Sequence, residues 1–263
     1  MEKNPENNGD GQDPTFETLH QFEFVGKIRY FCHMITKDIP FIDIHTHRHC
    51  ELAMTFGVHP WWLDNPDYQP AQDLFRLETL LKENKIAAIG ETGIDRLHKE
   101  TIDLQIEVFE QHIRLSEQYQ KPLIIHNVKG TADILLLHKK YQPRQAWIIH
   151  GFNGNESEIH LLINKGIFLS VGESIFYENR KIAKSISSIP LDHLFLETDM
   201  SEKTIQEIYE KVAKRLNLPL DVLKERIFAN FARLNLDVWN NGMTEPDCSS
   251  AIVALRNLDK AMC

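Results

Sequence analysis

The chain has 263 residues, 42% of them apolar and 25% charged, with a formal net charge of −9. That balance is ordinarily globular and leaves core enough for one large α/β domain or two small ones. It lacks the basic footprint of a protein that wraps long duplex, although a nuclease whose bound cations hold the phosphate stays possible. No apolar run approaches the ~18 residues of a membrane span. Cys32, Cys50, Cys248 and Cys263 include no C-x-x-C pair, which argues against a disulfide framework or a thiolate zinc site and fits a reducing cytoplasm.

In chain order, MEKNPENNGDGQDP (1–14) is polar, carries no secretory pattern and reads as disordered. Residues 15–38 are apolar enough for a helix or strand of undetermined type, so 1–38 read as an N-terminal extension. The first strand is predicted at FIDIH (41–45). His45, His47 and His49 follow at period two and project to one face. Imidazoles spaced this way can converge on one ion, or each can be a satisfied polar group near a strand end. The spacing alone leaves both open.

Further buried strands are predicted at MTFGV (54–58), IAAIG (86–90), PLIIH (122–126), AWIIH (146–150), GIFLSV (166–171) and HLFLE (193–197). Each is a continuous apolar run, as expected of strands covered on both faces. Between them lie helical stripes. Ile102, Ile106, Phe109 and Ile113 mark one over 100–119; Ile205, Ile208, Val212 and Leu216 mark another over 202–216. Alternation of strand and helix means a parallel sheet, either a barrel or doubly wound. Each strand ends on an acid or imidazole: His45/His47, His59, Glu91, His126, His150, Asp199. A (β/α) barrel gathers all its C-terminal strand ends at one mouth, whereas a doubly wound sheet scatters them, so the expected fold is a TIM-type barrel.

The motifs DIHTH, GVHPWW, AIGETGID, PLIIH, IIHGFNG, FLSVG, IPLDHLFLETD and NFARL, in this order over about residues 41–236, resemble the TatD-like family of metal-dependent hydrolases. The resemblance implies a metal-dependent hydrolase with deoxyribonuclease activity in characterised members. It implies a first metal on His45 and His47, a bridging Glu91, and a second metal on His126 and His150. Asp199 would complete the first site and orient or deprotonate the attacking water, and His59 would face the same mouth as a further catalytic residue. The expected cofactors are two divalent ions. An imidazole-rich shell suits zinc, manganese or iron better than magnesium. The expected partner is DNA or a small phosphodiester, with no membrane and no obvious protein partner. The alternatives are an amidohydrolase acting on C–N, ester or lactone bonds, and a binding protein with a degenerate groove.

The chain departs from the family in two respects. His47 and His59 are only 12 residues apart, too few for the roughly 31 residues of a βα repeat, so one βα unit is missing and the barrel is expected to be distorted, with seven strands. Arg96-Leu97-His98 and MSEKTIQEIY stand where the family tends to carry an aromatic pair and a Pro-rich stretch, pieces that help build its substrate groove. The barrel is expected over 39–236. A C-terminal tail, 237–263, contains AIVALRNL, read as a helix packed on the barrel; the tail or residues 15–38 would cover the exposed strand edge.

Overall fold

A computed structural model describes residues 39–47 and 55–234, together with the backbone of Ala254–Arg256. Residues 1–38, His49, the 48–53 link and most of 237–263 lie outside the described residues. Seven strands stand where the apolar runs predict them: β1 Asp43–Thr46, β2 Thr55–Phe56, β3 Ala88–Asp95, β4 Leu123–Val128, β5 Trp147–Ile149, β6 Phe168–Val171 and β7 Leu194–Leu196. β2 to β7 form one sheet, all parallel and in chain order. The helices between and after them are α1 Pro70–Lys82, α2 Ile102–Tyr119, α3 Thr131–Tyr141, α4 Glu156–Ile163, α5 Lys181–Ser185, α6 Ile205–Leu216 and α7 Leu220–Arg233. No helix among the described residues is long and apolar enough to cross a membrane.

The strands are continuous apolar runs because both faces are covered. Leu123, Ile124 and Ile125 are all fully buried, as are Trp147, Ile148 and Ile149, so successive side chains fill opposite sides of the sheet. On α2, Phe109 and Ile113 are fully buried, with Ile102 and Ile106 at the margin of the stripe. On α6, Ile205, Ile208 and Val212 face inward. That helix starts at a capping box in which Thr204 Oγ1 accepts from the Glu207 N–H at 3.2 Å and Glu207 Oε2 accepts from the Thr204 N–H at 2.8 Å.

β1 joins the sheet through β7. The Asp199 N–H donates to His45 O at 2.9 Å and the His47 N–H to Asp199 O at 3.2 Å, a parallel bridge between Thr46 and Asp199. Behind it, Asp43 accepts from the Thr198 N–H (2.9 Å) and hydroxyl (2.7 Å), and the Tyr209 hydroxyl donates to Ile42 O and accepts from Ile42 N–H.

On its other side β1 pairs in parallel with β8, Ala254–Arg256, with Asp43 opposite Ala254 and Thr46 opposite Arg256. This corrects the helix read from AIVALRNL. β-branched Ile252 and Val253 lead into the segment, and the open edge of β1 supplies a ladder that an isolated helix would lack. No ladder joins β8 to β2 among the described residues. The architecture is therefore an α/β barrel of the TIM type that is not closed.

His112, fully buried on α2, ties that helix to the segment after β2. Its Nδ1–H donates to Val108 O (2.8 Å) and its Nε2 accepts from the Val58 N–H (3.0 Å). The ring must be neutral to do both, and burial lowers its pKa from the ordinary 6.5 to about 4. Because the folded pKa is depressed, the unfolded chain binds the extra proton between those values. Stability is then full above pH 6.5 and falls as the pH drops toward 4, by roughly 2 kcal/mol between pH 7 and pH 5. Urea unfolding of the wild type and His112→Gln at the two pH values should show the larger drop in the wild type; equal drops would clear His112 as the cause.

Candidate metal centre

Parallel strands end on the same side, so the side chains at their C-terminal ends converge. β1 delivers His45 and His47; the segment after β2 delivers His59; β3 carries Glu91, β4 His126; β5 leads into His150 and β7 into Asp199. The structure brings all seven together, around Glu91. Glu91 Oε1 lies 3.1 Å from His59 Nε2, 2.8 Å from His126 Nδ1 and 2.6 Å from His150 Nε2. Oε2 lies 3.4 Å from His45 Nε2 and 3.6 Å from His47 Nε2. Asp199 Oδ1 closes the second group, 3.3 Å from His47 Nε2 and 3.6 Å from His45 Nε2. His45/His47/Asp199, His45/Glu91/His150 and His59/Glu91/His126 each present ligand atoms within 4.8 Å of one another.

Glu91 reaches this place because its strand runs very close to β4. Gly90 and Gly93 have φ of +143° and +148°. A Cβ would sit 2.4 Å from Ile124 O at Gly90 and 2.1 Å from His126 O at Gly93. Glycine alone allows both the conformation and the approach, which is why the motif reads IGETG.

The donor set fits a divalent cation. His45 is buried, yet neither ring nitrogen makes a hydrogen bond. A buried imidazole without a partner is costly, and Nε2 faces two carboxylates across the distances given above. Burial alone would push the Glu91 carboxyl up, but charge on His150 and the close approach of the His126, His150 and His45 imidazoles hold it well below the usual carboxylate range. Burial and His150 disfavour a charged His45, while Asp199 and Glu91 outweigh them and raise it to about 9. In the protein alone, protons on imidazoles balance the carboxylates; a cation would take their place.

Two acids that the strand-end reading passes over stand behind the histidines. Asp95 Oδ2 accepts from His126 Nε2–H at 3.1 Å, which leaves His126 Nδ1 as the lone pair facing Glu91, the arrangement that orients a ligating imidazole. Glu197, fully buried, has Oε1 3.7 Å from His150 Nδ1 and 2.5 Å from the Gly151 N–H that donates to it. A usable signal was present. Asp95 is four residues after Glu91 on one strand and hence on its face, and Glu197 is two before Asp199.

His59 differs from the other imidazoles. Its Nδ1 accepts from the Trp61 N–H at 3.1 Å and caps the short helix Pro60–Asp64. The ring proton is then on Nε2 and points at Glu91. This makes His59 better placed to donate to the carboxylate than to ligate a metal.

Fold and site together define a TIM-type scaffold with a cluster of metal-competent side chains at its mouth. The chain matches the family model for TatD related DNase over residues 41–235 and belongs to that family. It is 27% identical over 151 residues to an uncharacterized metal-dependent hydrolase of Buchnera aphidicola, covering 56% of each chain. It is 26% identical over 225 residues to the deoxyribonuclease Tat-D of Schizosaccharomyces pombe, covering 81% of this chain and 69% of that one. Among solved structures, the TatD homologue YJJV of Escherichia coli superposes with a TM-score of 0.62 at 22% identity, over 68% of this chain and 75% of that one. The chain thus spans between about half and three quarters of the length of these curated relatives.

If the cluster holds metal, zinc or manganese at about 100 times its Kd should stabilise the fold by ~2.7 kcal/mol, a Tm rise of about 5–10 °C. Chelation should reverse it. Glu91→Ala, which removes the carboxylate shared by both groups, should abolish the metal-dependent rise in a thermal melt and leave the protein metal-poor by elemental analysis.

Proposed function

We propose that the chain hydrolyses phosphodiester bonds, DNA among them, with two divalent cations, zinc, manganese or magnesium. One observation carries the reading: the two oxygens of Glu91 face different sets of imidazoles, Oε1 toward His126 and His150 and Oε2 toward His45 and His47. A carboxylate shared in this way suits a bridge between two ions. His45, His47 and Asp199 would hold one, and His126 and His150 the other. Bound there, the pair supplies Lewis acidity, which activates water and neutralises charge at phosphorus. That the S. pombe relative is a deoxyribonuclease supports DNA as a substrate.

The chain's own groups divide the remaining work. Asp95 holds the His126 ring by its far nitrogen, and Glu197 lies 3.7 Å from the far nitrogen of His150. His59 donates to Glu91 and fixes its rotamer. Asp199 is the carboxylate most open to solvent, its side chain 39% exposed against 5% for Glu91. It faces a cavity of about 490 Å³ also lined by Tyr177, Arg180 and Met200. The nearby imidazoles of His45 and His150 outweigh burial and lower its pKa, so it is ionised at neutral pH. There it can accept the proton of the attacking water and hold that water in line with phosphorus.

The test separates turnover from metal loading. Asp199→Asn keeps the size and one oxygen and should lose about 10²–10⁴ in kcat on bis-p-nitrophenyl phosphate with most of its metal retained. His126→Ala should lose metal first. Near wild-type kcat in metal-loaded Asp199→Asn would remove Asp199 as the base. Turnover of an ester or amide panel in place of phosphodiesters would redirect the reading to an amidohydrolase.

A further inference from the structure

Half of the large apolar side chains exposed among the described residues lie just past strand ends at the mouth: Trp61 after β2, Leu97 after β3, Tyr177 after β6 and Met200 after β7. Exposed apolar residues scattered singly need no explanation. Four gathered round one charged centre are a different matter, and Trp61 is the most firmly built of them. It is 53% exposed, yet its indole is not loose. Its Nε1–H donates to Asp95 Oδ2 at 2.7 Å, the same oxygen that holds His126. Its ring lies edge-on to His126 with centroids 5.8 Å apart and tilted by 31° against His98 at 5.7 Å. His98 is itself paired through Nδ1 with Asp64. A rigid aromatic surface is thereby held open to solvent two hydrogen bonds, through Asp95, from a candidate metal ligand.

Resting on the phosphodiesterase reading, we propose that Trp61 is a stacking platform for a nucleobase of the substrate. The charge balance supports this. The chain carries 38 acids against 29 Lys and Arg, so little of the affinity can come from cationic side chains along a backbone. Stacking on an aromatic face supplies binding that does not depend on them, and every base has a π-face to offer.

The experiment uses metal-loaded full-length protein with single-stranded (dT)₄ and with a tetramer of the same backbone bearing abasic sites. Wild type should bind (dT)₄ with quenching of tryptophan emission and hydrolyse it with a KM lower by ~10–100-fold than for the abasic tetramer. Trp61→Leu should bring the two KM values together. Trp61→Phe keeps a ring but, like Trp61→Leu, loses the bond to Asp95. It should therefore retain most of the base preference while sharing any loss in kcat, and it should lack the quenching.

Equal base preference in wild type, Trp61→Phe and Trp61→Leu would overturn the proposal. So would equal losses of both variants on both tetramers, which would make Trp61 a support for Asp95 only. Quenching by (dT)₄ and not by the abasic tetramer, with neither hydrolysed, would sink the phosphodiesterase reading and leave the platform standing.

Discussion

The site depends on a seam between two segments more than 150 residues apart. Asp43, on β1, accepts from both the N–H and the hydroxyl of Thr198. One step further on, Thr46 and Asp199 are joined by a backbone bridge. These bonds fix how far β1 projects past β7, and so whether His45 and His47 reach Glu91 and Asp199. Asp43, Thr46 and Thr198 are buried, so a missing partner would leave an uncompensated donor or acceptor, worth about 1–3 kcal/mol each. The seam is thus held by polar bonds that work only in one register, and the metal-competent cluster inherits that register.

The same logic of shared oxygens runs through the centre. Glu91 answers to five imidazoles, and Asp95 answers to both a candidate ligand and an aromatic side chain at the rim. Each carboxylate is held ionised by its neighbours against the cost of burial. The cluster is therefore arranged as layers: acids behind the histidines, imidazoles in the middle, and Asp199 at the solvent side beside the cavity.

The strands were legible in the sequence because double burial leaves an unmistakable trace: Leu123 to Ile125 and Trp147 to Ile149 admit no polar residue. The convergence of His45, Glu91, His126, His150 and Asp199 was legible for a related reason, since parallel strands cannot end on different sides. Asp95 and Glu197 were less visible because their importance lies in which atom of a histidine they touch, and spacing along one strand does not say what stands on the next. The strand at Ala254–Arg256 was missed because Ala-Leu-Arg has no period of its own; the edge of β1 decides its form. The neutral state of His112 is likewise set by one N–H, that of Val58, from a segment 54 residues away.

The wiring of the strands has a temporal consequence. β2 to β7 pair with neighbours next in the chain, through connections of 18 to 31 residues. Bringing β1 to β7 in an otherwise open chain closes a loop of about 150 residues and costs roughly 1.5 kcal/mol more. Once β2 to β7 are in place, only the short link between β1 and β2 remains to be closed. Folding that begins with the local pairs therefore assembles Glu91, His126 and His150 first and recruits His45 and His47 last. Asp199 comes with β7, and the His45 and His47 side of the cluster is completed when β1 docks.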